Sequence, residues 1–267
     1  MKAQVESSQQ TLRPKAPGKI KHYFTAAIVI LLLWGSAVQT EATFGELIQG
    51  LPNMLDLLKE MFPPRWGYLD KIWSAMLETI RMALLGTTFG AIMAVPIALL
   101  SASNIARHKW IYYPVRFILN LIRTIPDLLL AALFVAIFGL GAFPGIFALA
   151  FFSLGIIAKL TYEALETIDP GPLEAMTAAG AHPLQIIKFG VVPQIKPHFI
   201  SFLLYTFEIN VRAAAVLGLV GAGGIGHYYE VTLGFLEYDK TCMIIIVTLA
   251  VVLAIDYISS KMREKLL

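Results

Sequence analysis

Of the 267 residues, 57% are hydrophobic and only 15% are charged; the net charge is +3 and the mean hydropathy is +0.71. Ordinary soluble domains carry about 25% charged residues, so a soluble chain this apolar would expose large sticky patches; a multi-span membrane protein is the natural class. The single cysteine, Cys242, excludes an internal disulfide and a cysteine-rich metal site.

Residues 1–22, rich in Ser, Gln, Pro and Lys, read as a loosely ordered tail. Six apolar segments follow, near 23–40, 73–102, 112–139, 143–160, 197–219 and 241–259, each long enough to cross about 30 Å of hydrocarbon. The first also has features of a signal peptide, with a basic start and a small-residue exit at Thr40-Glu41-Ala42. The organisation that follows is all-α: a tail (1–22), a first span with an outer connection (23–72), a transmembrane domain (73–260) and a short end (261–267). Within 41–70, which contains Pro52, Pro63 and Pro64, a short amphipathic helix is expected. Pro96 and Pro126 predict tilts or kinks in the second and third spans. Trp34, Trp66, Trp73 and Trp110 sit near span ends, as an interfacial belt does. Lys and Arg concentrate in the N-terminal tail, the 103–111 loop, the 161–196 loop and the C-terminus, which places both termini and the 161–196 loop in the cytoplasm.

On the second span, Glu78 and Arg81 stand at i, i+3 and predict a local pair. On the third, Arg116, Asn120, Arg123 and Asp127 fall at i, i+4, i+7 and i+11, one polar face. After the fourth span comes a loop with two helix starts. Pro172 suits the first turn of a short helix, Glu174 sits where the dipole favours an anion, and Gly180 stops it. Pro183 opens a second short helix, which Gly190 stops.

The fifth span carries Glu208, Asn210 and Arg212. Counted from the cytoplasmic ends of their spans, Arg123 lies as deep as Glu208, and Asp127 as deep as Arg212, so the pairs Arg123–Glu208 and Asp127–Arg212 are expected. Such charges either lock the bundle as buried salt bridges or give the passage a positive potential, Arg212 first and Arg123 with it. The span then runs into Gly221-Ala222-Gly223-Gly224-Ile225-Gly226. That fits G-x-G-x-x-G, but the run before it is a span, and no acidic residue stands about 20 positions on. Gly221, Gly223, Gly224 and Gly226 read instead as a close-packing hinge or lining element near the outer mouth.

The loop resembles the Glu-Ala-Ala loop of ABC-importer permeases. Glu174, Ala175, Gly180 and Pro193 match in register, while Met176, Gly190 and Val192 stand where the pattern has Ala, Ile and Leu. With EAMTAAGAHP and FEINVRAAAVLGLVGAGGIG, most of 73–267 resembles the phosphonate ABC-transporter permease, a type I importer subunit. That resemblance implies a permease dimer, identical or paralogous, in the bacterial inner membrane. It also implies ABC ATPase subunits that use ATP-Mg on the cytoplasmic side and an extracytoplasmic phosphonate-binding protein. On it, Glu174, Ala175, Gly180 and Pro193 couple to the ATPase, and the cargo is phosphonate, with phosphite, phosphate or another small oxyanion as alternatives.

No Walker A sequence occurs, the five histidines have no metal-ligand spacing, and no Ser/His pair stands at meaningful spacing. No catalytic or metal site, no bound cofactor and no nucleic-acid partner are expected, and an intramembrane enzyme is the remote alternative.

Overall fold

The structure, a computed structural model, describes residues 19–40, 44–106 and 108–266. Most of the expected tail and the Glu41-Ala42 exit lie outside those residues. The described chain is helical, without strands, and divides into two units, Met1–Leu58 and Lys59–Leu267.

The first unit holds α1 (Lys19–Gln39) and all but the end of α2 (Phe44–Met61). α1 is apolar on every side, with Phe24, Ile30, Leu32 and Trp34 all exposed, the mark of a helix whose solvent is lipid. Its 21 residues match the thickness of hydrocarbon. α2 is the amphipathic helix expected in 41–70: Ile48, Leu51, Leu55 and Leu58 share one side, and Glu46, Asn53, Asp56 and Glu60 the other.

The second unit runs α3 (Leu69–Ser101), α4 (Ser103–Ala106), α5 (Lys109–Thr124), α6 (Asp127–Phe138), α7 (Ala142–Glu166) and α8 (Gly171–Ala178). α9 (Pro183–Gln185) continues through a π-helical stretch, Ile186–Val191, into α10 (Val192–Leu217), followed by α11 (Ile225–Gly234) and α12 (Tyr238–Glu264). Among the described residues of the whole chain, five stretches, α1 included, are long and apolar enough to cross a membrane, and α5 with α6 makes a sixth only if taken across an 86° bend. The third span is therefore not a kinked helix but two helices. Ile125, preceding Pro126, is forced extended (φ −78°, ψ 121°), which ends α5. Asp127 then starts α6, its Oδ1 accepting from the Leu128 N–H at 2.9 Å. Pro96, inside α3, leaves its helix continuous.

α3 and α7 form the central pair. A Cβ on Gly90 would lie 2.6 Å from the Ala150 carbonyl oxygen, and one on Gly86 3.3 Å from that of Ile146. The Gly86-x-x-x-Gly90 face thus lets the two backbones touch, the usual source of tight helix packing where lipid removes the hydrophobic drive. α10 lies against both. Its wholly buried Asn210 donates to Thr87 Oγ1 of α3 at 2.7 Å and to Ser153 Oγ of α7 at 2.6 Å. One amide thereby joins three helices.

Candidate functional site

The loop between α7 and α10 is built from its caps. α8 ends in a Schellman turn: Gly180 takes φ +77°, its N–H bonds Thr177 O at 3.0 Å, and Ala181 N–H bonds Met176 O at 3.0 Å. His182 caps the next start, Nδ1 accepting from Leu184 N–H at 3.3 Å, while Gln185 Oε1 accepts from His182 N–H at 2.8 Å. Gly190 does not stop the second helix, contrary to expectation; the backbone passes through the π stretch directly into α10, with Pro193 in its first turn. Two departures from the Glu-Ala-Ala pattern answer each other here. A Cβ on Gly190 would lie 3.3 Å from Met176 Sδ and 3.5 Å from Leu173 Cδ1, so the larger Met176 fills what the missing side chain leaves.

Gln194 fastens this loop to the start of α10. Its Oε1 accepts from Asp169 N–H at 3.0 Å, and its Nε2 donates to Gly190 O at 2.9 Å and Asp169 O at 3.3 Å. Glu174, in the first turn of α8, lines a recess of about 570 Å³ with Asn104, Ile168, Pro170 and Leu173; Ala175 is exposed beside it. Gln194 carries no motif, which is why pattern reading passes over it.

The charges pair differently from the depth argument. Glu208 is buried on α10, and its carboxylate accepts from Arg212, one turn on, and from Arg263 Nη2 at 3.1 Å. Arg263 stands in the last turn of α12, so Glu208 lies level with a helix end rather than opposite α5. Arg212 also approaches Asp256 at 3.9 Å. Arg116 pairs with Glu166, at the end of α7, and its Nε donates to Ser101 O at 2.8 Å. Its guanidinium carbon lies 4.6 Å from the Tyr162 ring centre and 5.1 Å from that of Tyr112. Glu166 also accepts from Ser103 N–H at 2.9 Å. Glu166 was not singled out in the sequence because it looks like a solvated helix end.

Arg123 pairs with neither Glu208 nor any other carboxylate among the described residues. Asn120 is exposed on α5, and Asp127 lies past the bend, so the four-residue stripe is cut at its last member. No ion pair joins Glu78 to Arg81 among the described residues. A charge exposed to hydrocarbon is costly unless it is paired; Arg116, Arg212 and Arg263 have carboxylate partners, and Arg123, in the last turn of α5, has none among the described residues.

The glycine run is a packed turn, not a loose one. Gly221, Gly223 and Gly224 take φ +84°, +78° and +67°. Ile225 N–H donates to Thr79 Oγ1 at 2.8 Å, Gly141 N–H to Gly221 O at 3.0 Å, and Gly226 lies against Gly218 where α11 crosses the end of α10. The turn borders a recess of about 530 Å³ with Leu140, His227 and Glu230.

Comparison with known proteins adds to this geometry. The family profile described as "Binding-protein-dependent transport system inner membrane component" matches residues 86–263. HtxC of Stutzerimonas stutzeri, provisionally named as a phosphite transport system permease protein, is 40% identical over 247 residues, 92% of this chain and 88% of its own. The phosphate-import permease protein PhnE of Mycolicibacterium smegmatis is 38% identical over 221 residues, 83% of this chain but 42% of its own. Among solved structures, a chain of the inward-facing MetNI methionine ABC transporter is similar, with a TM-score of 0.67 and 25% identity over 76% of this chain and 99% of that one.

Proposed function

The chain belongs to the family of binding-protein-dependent transport system inner membrane components, and from that premise we propose that it carries small phosphorus oxyanions, phosphonate or phosphite, into the cell. It is the permease subunit of an ABC importer, a multi-pass protein of the inner membrane whose ATP is hydrolysed by partner subunits. The finer reading concerns cargo, coupling and partners. The names of the relatives, phosphite for one and phosphate for the other, support a phosphorus oxyanion.

The observation that carries the coupling is the Gln194 fastening. A partner ATPase seated on α8, against Glu174, Ala175 and Gly180, moves the helix when its nucleotide sites close. Because Gln194 ties Asp169 and Gly190 to the start of α10, α10 moves with α8. α10 carries Asn210, so the displacement reaches α3 and α7. In this arrangement both termini and the α8 loop face the cytoplasm. The glycine turn borders the outer mouth, where an extracytoplasmic binding protein delivers the anion, and a second permease chain, identical or paralogous, completes the passage.

The test is reconstitution in lipid vesicles with the ATPase and binding protein, supplying methylphosphonate, phosphite and phosphate in turn. ATP hydrolysis and uptake rise with phosphite or methylphosphonate. A competent complex stimulated by none of the three overturns the cargo, and full coupling in Glu174→Lys overturns the docking role of α8.

A further inference from the structure

We propose that Arg123 receives the oxyanion within the spans, and that the site favours anions bearing one apolar substituent, hydrogen or a small alkyl group, on phosphorus. The proposal rests on the importer reading above and adds a contact residue and a preference to it.

The arginines sort themselves by partner. Arg116 is taken by Glu166, and Arg212 and Arg263 share Glu208. Arg123 has no carboxylate in reach among the described residues. Arg81 also has none in ion-pair contact, but it stands one turn from Glu78, whose charge repels an anion. The nearest acid in sequence to Arg123, Asp127, accepts from the Leu128 N–H of α6.

Arg123 is also placed. Its stem lies on Gly155, close to the middle of α7 (Ala142–Glu166), where a Cβ would come within 2.6 Å of Arg123 Cγ. A glycine at mid-helix therefore makes the notch that holds this arginine. The residue, itself exposed, borders a partly open cavity of about 220 Å³ at the α5–α6 bend, lined otherwise by apolar side chains including Ile122, Ile125, Leu130, Phe151 and Ile156.

The chemistry of such a cavity is one-sided. The guanidinium offers two parallel N–H donors to two oxygens of one anion, and low-dielectric walls strengthen that pairing. The walls give no partner to a further hydroxyl. Phosphite and methylphosphonate turn P–H or P–CH₃ to those walls and leave one oxygen outside the pair, whereas phosphate leaves two, so that one more oxygen lies against the apolar walls without a hydrogen bond, an uncompensated cost. With a single cation and no enclosing donors, the contact stays weak enough to release its anion.

The test uses the whole importer in vesicles with saturating binding protein, reading anion moved per ATP hydrolysed. Arg123→Gln lowers that ratio for phosphite by about tenfold or more, the loss of one charge-assisted pair, while binding-protein-stimulated ATP hydrolysis stays near wild type. Arg123→Lys recovers part of the ratio, and Gly155→Ala, which moves the stem but keeps the charge, lowers it. The wild type moves more phosphite or methylphosphonate than phosphate per ATP. An unchanged ratio in Arg123→Gln overturns the proposal. So does loss of ATP hydrolysis and assembly to the same extent in Arg123→Gln and Arg123→Lys, which marks a structural residue. A wild type that moves no phosphorus oxyanion at all instead removes the cargo reading beneath it.

Discussion

Glu208 serves two arginines with one buried carboxylate, and the three groups are unequally exposed. Arg212 is half exposed and Arg263 about one-fifth exposed, against 8% for Glu208. Replacing a buried member leaves its partners uncompensated, whereas an exposed one is screened by its surroundings. Glu208→Gln therefore destabilises by about 1–3 kcal/mol, Arg263→Gln by less, and Arg212→Gln least, as read from thermal unfolding in detergent; an equal loss for all three contradicts the arrangement. The sequence marked Glu208 and Arg212 by their cost in an apolar run, and their spacing put them on one face. Arg263 was legible only as a terminal charge, because which turn of α12 lies beside Glu208 depends on helix tilt. Thr87 and Ser153 were silent for another reason: small hydroxyls in spans usually bond their own backbone, as Thr87 also does to Ala83 O at 2.7 Å.

At the scale of elements, the α8 loop is the part most fully written in the sequence. Its prolines, its capping residues and Gly180 each have a local conformational reason, and those reasons do not depend on the rest of the fold. Gly180 has open space where a Cβ would go, so only its left-handed backbone resists substitution. Gly180→Asn is then mild, since asparagine tolerates that region, while Gly180→Val costs about 1–2 kcal/mol in the loop alone. Global melting stays nearly unchanged in both, and ATP hydrolysed per anion imported rises only for the valine; a valine variant with normal coupling removes the need for the turn. The bend at Pro126 was half legible. Proline and the residue before it announce an interruption, but an angle of 86° is set by what α6 packs on, namely α7 through Leu130 and Ala131. Gly190 misled as a helix stop because its neighbour Met176, one helix away, decides its role.

Across the molecule, hydropathy located the spans well, and their ends less well. α7 and α10 extend beyond the predicted spans, since their extra turns are held by protein rather than by lipid. Lys and Arg counts carry the orientation, and the chain offers a clean way to read it, because its only cysteine, Cys242, is buried. Single cysteines introduced at two exposed sites, Leu184 in the α8 loop and Leu236 after α11, report opposite faces. In intact cells an impermeant thiol reagent modifies Leu236→Cys and spares Leu184→Cys, and the reverse pattern inverts the topology.

The six residues Ile186–Val191, wound more loosely than an α-helix, make this one place where the chain can change length without changing phase. A π turn holds one residue more than the ladder around it requires, and it arises most simply when a helix absorbs an insertion. Removing Phe189, whose side chain is exposed, tightens that turn into ordinary helix and leaves the residues on either side facing as before. Removing Ser201, inside regular α10, rotates one end of the helix by about 100° against the other and scrambles the seam with α3 and α7. The first deletion is expected to yield folded, membrane-inserted protein and the second to abolish it.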